Sequence, residues 1–229
     1  MMRILVTGAK GQLGYDCLNE LKRRGYNDIL GIDKEDLDIS NFERVMAFIC
    51  DYKPDVVIHN AAYTAVDRAE EERDICYSVN ALGPKYIALA CKEIKAKMIY
   101  ISTEYVFDGE KKGLYQVDDL KNPLGVYGMT KSLGEDYVRK TLDEYFIVRI
   151  SWAFGVNGNN FIKTMLKLAK TRNFINVVCD QVGSPTYTFD LAKLLCDMMI
   201  TNNYGIYHAS NEGFCSWYEL AMFKKKKKG

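Results

Sequence analysis

A chain of 229 residues with 48% hydrophobic content can bury one domain core, or one core with a small lobe attached. Its net charge of +1 depends on Lys224–Lys228; without those five lysines it carries 26 basic against 30 acidic residues, a balance of −4 that argues against a nucleic-acid surface. No apolar run approaches the ~18 residues of a membrane span, and seven scattered cysteines with no Cys-x-x-Cys pair, beside only His59 and His208, read as reduced, buried thiols in a cytoplasmic protein with no histidine-built metal site.

Met1-Met2-Arg3 leads directly into a strand, Arg3–Thr7, and not into a signal-peptide pattern. Gly8, Gly11 and Gly14 follow in Gly-x-x-Gly-x-x-Gly spacing. A helix pattern then places Leu13, Cys17, Leu18 and Leu21 on one face and ends at Gly25. Strand, glycine turn and helix make the first half of a dinucleotide-binding unit, with pyrophosphate at the helix N-terminus. The next strand, Ile29–Ile32, ends at Asp33, 19 residues after Gly14. A carboxylate there is placed to bond a ribose 2′-hydroxyl and to repel a 2′-phosphate, an effect that neighbouring Lys34 partly offsets; NAD is favoured over NADP. Asp38-Ile39-Ser40 gives a second acidic turn, with Ser40 expected to cap a helix reaching Tyr52.

Asp55–His59 reads as a third strand, apolar enough to be buried on both faces. His59 is expected to be a sheet-end residue and not a ligand. The small residues of Asn60–Asp67 suit close approach of a flat cofactor, or tight helix packing. Glu70-Glu71-Glu72 is expected to be a solvated face, and Tyr77–Lys95 a long helix with Asn80 near its start. A fourth strand delivers Ser102 and Thr103 to its carboxyl end. Tyr127 and Lys131, four apart on the next helix, share one face. An ammonium beside a phenol lowers its pKa from about 10, which would make a proton donor usable near neutral pH. After a fifth strand, Tyr145–Ser151, a Gly/Asn loop is followed by a helix (Phe161–Lys170), a strand (Ile175–Cys179) and a helix (Phe189–Ile200). The βαβαβαβαβ order argues an α/β, doubly wound, Rossmann-like parallel sheet with a small C-terminal substrate lobe. The boundaries are 1–152 for the dinucleotide-binding domain and 153–223 for the lobe, interleaved with the first and truncated. Trp217, Leu220 and Ala221 begin an amphipathic helix that stops at Phe223, so 224–229 reads as an artificial or frame-altered end, with a natural basic tail as the alternative.

These residues together resemble the extended short-chain dehydrogenase/reductase superfamily, and within it the dTDP-4-dehydrorhamnose reductases. The blocks that carry the resemblance are Thr7–Gly14, Asn60–Asp67, Ser102–Gly109, Tyr127–Lys131, Arg149–Trp152, Asn160-Phe161 and Asp180–Thr186. The resemblance implies an NAD(P)-dependent oxidoreductase that reduces the C4 keto group of dTDP-4-dehydro-L-rhamnose, with NADH or NADPH as hydride source. It implies Tyr127 as proton donor, Lys131 as its tuner and holder of the nicotinamide ribose, and Thr103 as oxyanion donor. It places Gly11, Gln12 and Leu13 on the pyrophosphate, Asp33, Asp38 and Ile39 on the adenosine, and Ala61, Ala62, Tyr63 and Thr64 on the rest of the cofactor. Glu104 and Trp152 fall where the sugar nucleotide is held.

Two departures stand out: Glu104 replaces the usual Asp, and the lysines replace a longer basic, proline-containing segment, so a chain that binds cofactor yet turns over poorly is expected. A Mg²⁺ bridge between subunits, used by some relatives, is not indicated by the sequence, and a homodimer is left open. Two alternatives share the sheet and the Tyr/Lys pair. A sugar-nucleotide dehydratase would place Asp-Glu after the Thr, where this chain has Glu104-Tyr105; a noncatalytic protein like the regulatory subunit of methionine adenosyltransferase would not need Thr103, Tyr127 and Lys131 intact.

Overall fold

The computed structural model describes residues 2–222; the expected artificial tail, 224–229, lies outside them. In chain order the elements are β1 (Ile4–Thr7), α1 (Gln12–Arg23), β2 (Ile29–Ile32), α2 (Phe42–Tyr52), β3 (Val56–His59), α3 (Arg73–Tyr77), α4 (Gly83–Ile94), β4 (Lys97–Thr103), α5 (Val126–Thr141) and β5 (Tyr145–Ile150). Then come β6 (Ala153–Phe154), α6 (Phe161–Leu168), β7 (Val182–Gly183), β8 (Thr186–Tyr187), α7 (Thr188–Met198), β9 (Gly205–His208), β10 (Cys215–Ser216) and α8 (Trp217–Met222). Among the described residues no helix is long and apolar enough to cross a membrane.

Six strands form one parallel sheet in the order β2-β1-β3-β4-β5-β9, the doubly wound arrangement expected. Successive side chains on a strand point to opposite faces. Ile4, Val6, Ile58, Ile99 and Val148 therefore pack with Leu13, Cys17 and Leu21 of α1 and Leu191 and Leu195 of α7. Leu5, Val57, Met98, Tyr100 and Ile147 pack on the other face with Val45 and Ile49 of α2, Ile87 and Cys91 of α4, and Val138 of α5. From β1 the chain moves outward to β2 and then back past β1 to β3. In open α/β sheets that reversal is where ligands bind, outside the carboxyl ends of the strands.

Several local expectations need correction. Residues 175–179 do not form a strand; they lie largely exposed, and the Val178 carbonyl accepts the Tyr218 N–H at 3.1 Å without a strand ladder forming, since β-forming residues make a strand only along a matching partner strand. The sheet's sixth strand is instead β9, paired in parallel with β5. The cap of α2 is Asn41, whose side chain accepts the Arg44 N–H, while Ser40 donates its hydroxyl to Asp38 at 2.7 Å. The helix expected over Tyr77–Lys95 begins at Arg73 and is interrupted by a π-turn at Ser78–Leu82. Not all thiols are buried: Cys17, Cys76, Cys91 and Cys196 are, Cys50 and Cys215 are half-buried, and Cys179 is exposed.

Candidate active site

One cavity of about 1400 Å³ opens at the carboxyl edge of the sheet, across the β1/β3 reversal. It is lined by every site residue expected from the sequence: Gly8, Gly11, Gln12, Leu13 and Gly14; Asp33, Asp38 and Ile39; Ala61, Ala62, Tyr63 and Thr64; and Thr103, Glu104, Tyr127, Lys131 and Trp152.

The glycine turn is built for close approach. Gly8 sits at φ +65°, and a Cβ there would lie 2.8 Å from the Ala61 nitrogen. A Cβ at Gly14 would overlap the Gly8 carbonyl oxygen. Gly11 caps α1 without a side chain, and the first turn carries no acid, so its N–H groups and the positive end of the helix face the cavity undisturbed. Across the reversal, Thr7 Oγ1 accepts the Ala61 N–H at 3.2 Å and meets His59 Nδ1 at 2.7 Å. Burial drives the His59 pKa down to about 3, with the Lys131 charge adding, so this imidazole is a neutral sheet-end residue as expected. Asn60 lines the same cavity, and its buried amide lies against the Cys17 thiol of α1.

Asp33 sits where expected, with its carboxylate already in use. One oxygen accepts the Lys10 N–H at 2.9 Å and the other the Lys34 N–H at 3.0 Å, which ties the glycine turn to the end of β2. Asp38 is likewise committed to Ser40, and those bonds hold its carboxyl below the usual range. Ile39 is mostly core, pressed against Gly83. The 60–65 loop is clamped by Asn80 in the π-turn: its side chain accepts the Tyr63 N–H at 2.8 Å and donates to the Tyr63 carbonyl at 2.9 Å. π-Turns of this kind recur at functional sites.

The acidic run is not merely a solvated face. Glu70 accepts the Val126 N–H at 2.8 Å, so it caps the helix that carries Tyr127 and Lys131. Glu72 accepts the Tyr63 hydroxyl at 2.6 Å and pairs with Arg68. Gly128 lets α5 lie against the turn after β4, since a Cβ there would overlap the Tyr105 carbonyl.

The electrostatics of the central pair differ from expectation. Lys131 is buried and gives its ammonium to the Ile101 carbonyl at 2.6 Å, 4.3 Å above the Tyr100 ring. Burial pulls its pKa down to about 7, against the raising effect of Glu135. The Tyr127 pKa is raised, not lowered. Crowding by protein atoms is the main cause and the Glu104 charge adds to it, while a hydrogen bond with Thr103 opposes them. The ammonium is hydrogen-bonded to a backbone carbonyl and burial sets the direction of the phenol's shift, which the four-residue spacing alone could not reveal.

Thr103 and Glu104 sit at the end of β4. Thr103 donates to Glu104 Oε2 at 2.8 Å and accepts the Tyr105 N–H at 3.3 Å. Beneath them Ser102 and Arg149 bind Glu135, with Ser102 Oγ at 2.6 Å and two guanidinium nitrogens at 2.9 and 2.8 Å, which fixes α5 to β4 and β5. The opposite wall comes from the C-terminal part. Trp152 stacks on Trp217 with ring centres 3.6 Å apart, and Phe161 leans on the same indole at 4.5 Å. Asn160 caps α6 and also donates to Gln12 Oε1 at 2.9 Å, and Asn157 donates to the Lys10 carbonyl at 2.7 Å, so this wall is tied to the glycine turn. Trp217, Asn60 and Asn159 line the cavity and were not singled out as site residues from the sequence. Trp217 lies in no motif and is marked in the sequence only by the amphipathic pattern it begins. Among the described residues no group of three or more His, Cys, Asp or Glu side chains is placed to hold a metal ion.

Comparisons with known proteins identify relatives over nearly the whole chain. The spore coat polysaccharide biosynthesis protein SpsK of Bacillus subtilis is 44% identical over 221 residues, spanning 96% of this chain and 77% of the relative. A dTDP-4-dehydrorhamnose reductase of Aggregatibacter actinomycetemcomitans is 44% identical over 228 residues, spanning 97% of this chain and 78% of that protein. The crystal structure of a dTDP-4-dehydrorhamnose reductase from Bacillus anthracis in complex with NADP superposes with a TM-score of 0.95 at 44% identity, covering 100% of this chain and 81% of the other. The profile of the RmlD substrate binding domain matches residues 2–227, and the chain belongs to that family.

Proposed function

We propose that this protein reduces the C4 keto group of dTDP-4-dehydro-L-rhamnose to the alcohol of dTDP-L-rhamnose, using NADH or NADPH. The observation that carries the reading is that Thr103, Tyr127 and Lys131 line one cavity with an uncapped α1 N-terminus and its glycine turn. The cavity fits a dinucleotide: side chains are excluded where a pyrophosphate must approach, and helix N–H groups face it. Asp33 favours a ribose 2′-hydroxyl, Lys34 moderates that preference, and the related B. anthracis protein was crystallised with NADP.

When bound, the nicotinamide supplies hydride to C4. The chain's own part is to position and protonate. Gly11, Gln12 and Leu13 would hold the pyrophosphate, Asp33, Asp38 and Ile39 the adenosine, and Ala61, Ala62, Tyr63 and Thr64 the remainder. Lys131, fixed through the Ile101 carbonyl, has two further N–H donors for ribose hydroxyls. Tyr127 would deliver its proton to the C4 oxygen as charge develops there, with Thr103 donating to the same oxygen. A raised phenol pKa keeps that proton in place at neutral pH. Glu104, Trp152 and residues 153–187 with 215–222 would make the substrate lobe, while α7 and β9 pack on the main sheet. Biosynthetic relatives are consistent with a cytoplasmic enzyme.

The test is oxidation of NADH and of NADPH with dTDP-4-dehydro-L-rhamnose, with the product identified as dTDP-L-rhamnose by chromatography. Tyr127→Phe should slow turnover roughly 10²–10⁴-fold while coenzyme binding persists. Turnover at the wild-type rate in that variant would remove Tyr127 from the chemistry.

A further inference from the structure

The hydroxyl proton of Thr103 is already committed. Thr103 Oγ1 accepts the Tyr105 N–H at 3.3 Å and gives its only proton to Glu104 Oε2 at 2.8 Å. An ionised carboxylate is an acceptor only. While Glu104 is ionised, Thr103 therefore has one lone pair left, beside the Tyr127 phenol, and no proton for the cavity, so a substrate oxygen gaining negative charge would find no donor there. We propose that Glu104 is a positioning residue for the reduction: it holds a proton, donates it to Thr103 Oγ1, and so turns the Thr103 hydroxyl proton onto the substrate oxygen. This deepens the reductase reading above and rests on it.

The surroundings favour a neutral Glu104. It is set into the cavity wall between β4 and Trp152, and burial raises its carboxyl pKa to about 7 against the opposing hydrogen bonds from Thr103 and from the Trp152 backbone N–H. The titratable groups facing it are phenols: Tyr127 from α5 and Tyr105 on its own turn. The cations nearby are turned elsewhere, Lys131 to the Ile101 carbonyl and Arg149 to Glu135. A proton on Glu104 serves the second donor as well. Glu104 is the largest charge influence raising the Tyr127 pKa, so its negative charge would oppose the phenolate left when Tyr127 gives up its proton. No net proton is consumed at Glu104, since the proton it shares with Thr103 is shifted along a hydrogen bond and the one transferred to the product comes from Tyr127.

The experiment is the pH profile of kcat/KM for the wild type, Glu104→Gln and Lys131→Arg, with either coenzyme and dTDP-4-dehydro-L-rhamnose. In the wild type, kcat/KM should fall tenfold per pH unit above about 7 and level off ~10²–10³-fold lower, the loss expected for one oxyanion donor. Glu104→Gln, whose amide can donate but cannot ionise, should lack that fall whatever it loses at pH 6 through its place beside the sugar nucleotide, so that its kcat/KM relative to wild type rises ~10²–10³-fold between pH 6 and 9. Lys131→Arg should keep the fall. A second readout needs no turnover: infrared difference spectra of the unliganded protein between pH 6 and 9 should show a protonated-carboxyl band that disappears on ionisation and is missing from Glu104→Gln. A profile that Glu104→Gln leaves unmoved, or one that follows Lys131→Arg, would overturn the assignment to Glu104. Wild-type protein that oxidises neither coenzyme at any pH would overturn the reductase reading itself, so the two failures are distinguishable.

Discussion

Gly134 lies on α5, three residues past Lys131, and faces the π-turn. A Cβ added there would lie 2.5 Å from the Asn80 carbonyl oxygen, 2.5 Å from the Tyr100 hydroxyl oxygen and 3.1 Å from Pro84 Cγ. Ordinary contact begins near 3.4 Å, so α5 and the π-turn must part by about 0.9 Å. Neither obstacle can swing aside, since one is backbone and the other is a fully buried tyrosine. Gly134→Ala therefore shifts Lys131 away from the Ile101 carbonyl and moves the Asn80 clamp on Tyr63. Overpacking costs about 1–3 kcal/mol, and the gain of alanine over glycine in a helix returns about 1 kcal/mol. The net of roughly 0–2 kcal/mol lowers the melting temperature by no more than ~8 °C for a chain of this size. A misplacement of ~1 Å at reacting groups costs on the order of 10²-fold in rate. Calorimetry and NADH oxidation should thus separate, with a small thermal loss and a kcat/KM down about a hundredfold. A variant within about threefold of wild-type kcat/KM would refute the idea that α5 is held at this spacing for catalysis.

Glu70→Gln, which weakens the cap on α5 at the Val126 N–H, should cost about 1 kcal/mol, read as a melting temperature lower by ~2–4 °C, and no thermal shift would show the cap to be idle. Gly183→Ala places a Cβ 2.7 Å from the Trp152 ring, so it should disturb the stack on Trp217, raise KM for the sugar nucleotide and change tryptophan fluorescence, with kcat much less affected. An unchanged KM would detach that stack from substrate binding.

What could be read from the sequence was local. Gly8, Gly11 and Gly14, the strand ending at Thr103 and the helix carrying Tyr127 and Lys131 each announce themselves within one element. What could not be read depends on partners far along the chain. Glu70 caps a helix 56 residues away, and its neighbours suggest only a charged surface. The run 175–179 has strand-forming residues, yet β9 takes the sheet edge; strand propensity describes a surface that fits a partner and does not supply one. The direction of the Tyr127 shift is hidden from the sequence for the same reason. The spacing places an ammonium one turn away but says nothing of the Ile101 carbonyl that receives it, or of the Glu104 charge beside the phenol. Asn41 took the cap expected of Ser40 because Asp38 had already engaged the serine.

The buried ammonium of Lys131 gives the fold a dependence on pH whose sign is fixed. Its pKa is about 7 in the folded protein, mainly through burial, against 10.5 for a free lysine side chain. Below about pH 7 both folded and unfolded chains carry the charge, and the folded chain bears the whole cost of burying it. Between about 7 and 10.5 the folded chain has released its proton while the unfolded chain retains it, so the unfolded state binds more protons and stability rises with pH. Lys131→Met removes the buried charge together with the bond to the Ile101 carbonyl. Its stability relative to wild type should therefore be most favourable near pH 6 and decline steadily toward pH 10. Urea unfolding of both proteins across that range isolates the effect, because every other titrating group is common to the two. A difference in unfolding free energy that stays constant from pH 6 to 10 would mean that Lys131 is not held against its charge, and that the acceptors it requires are already present in the protein without any ligand.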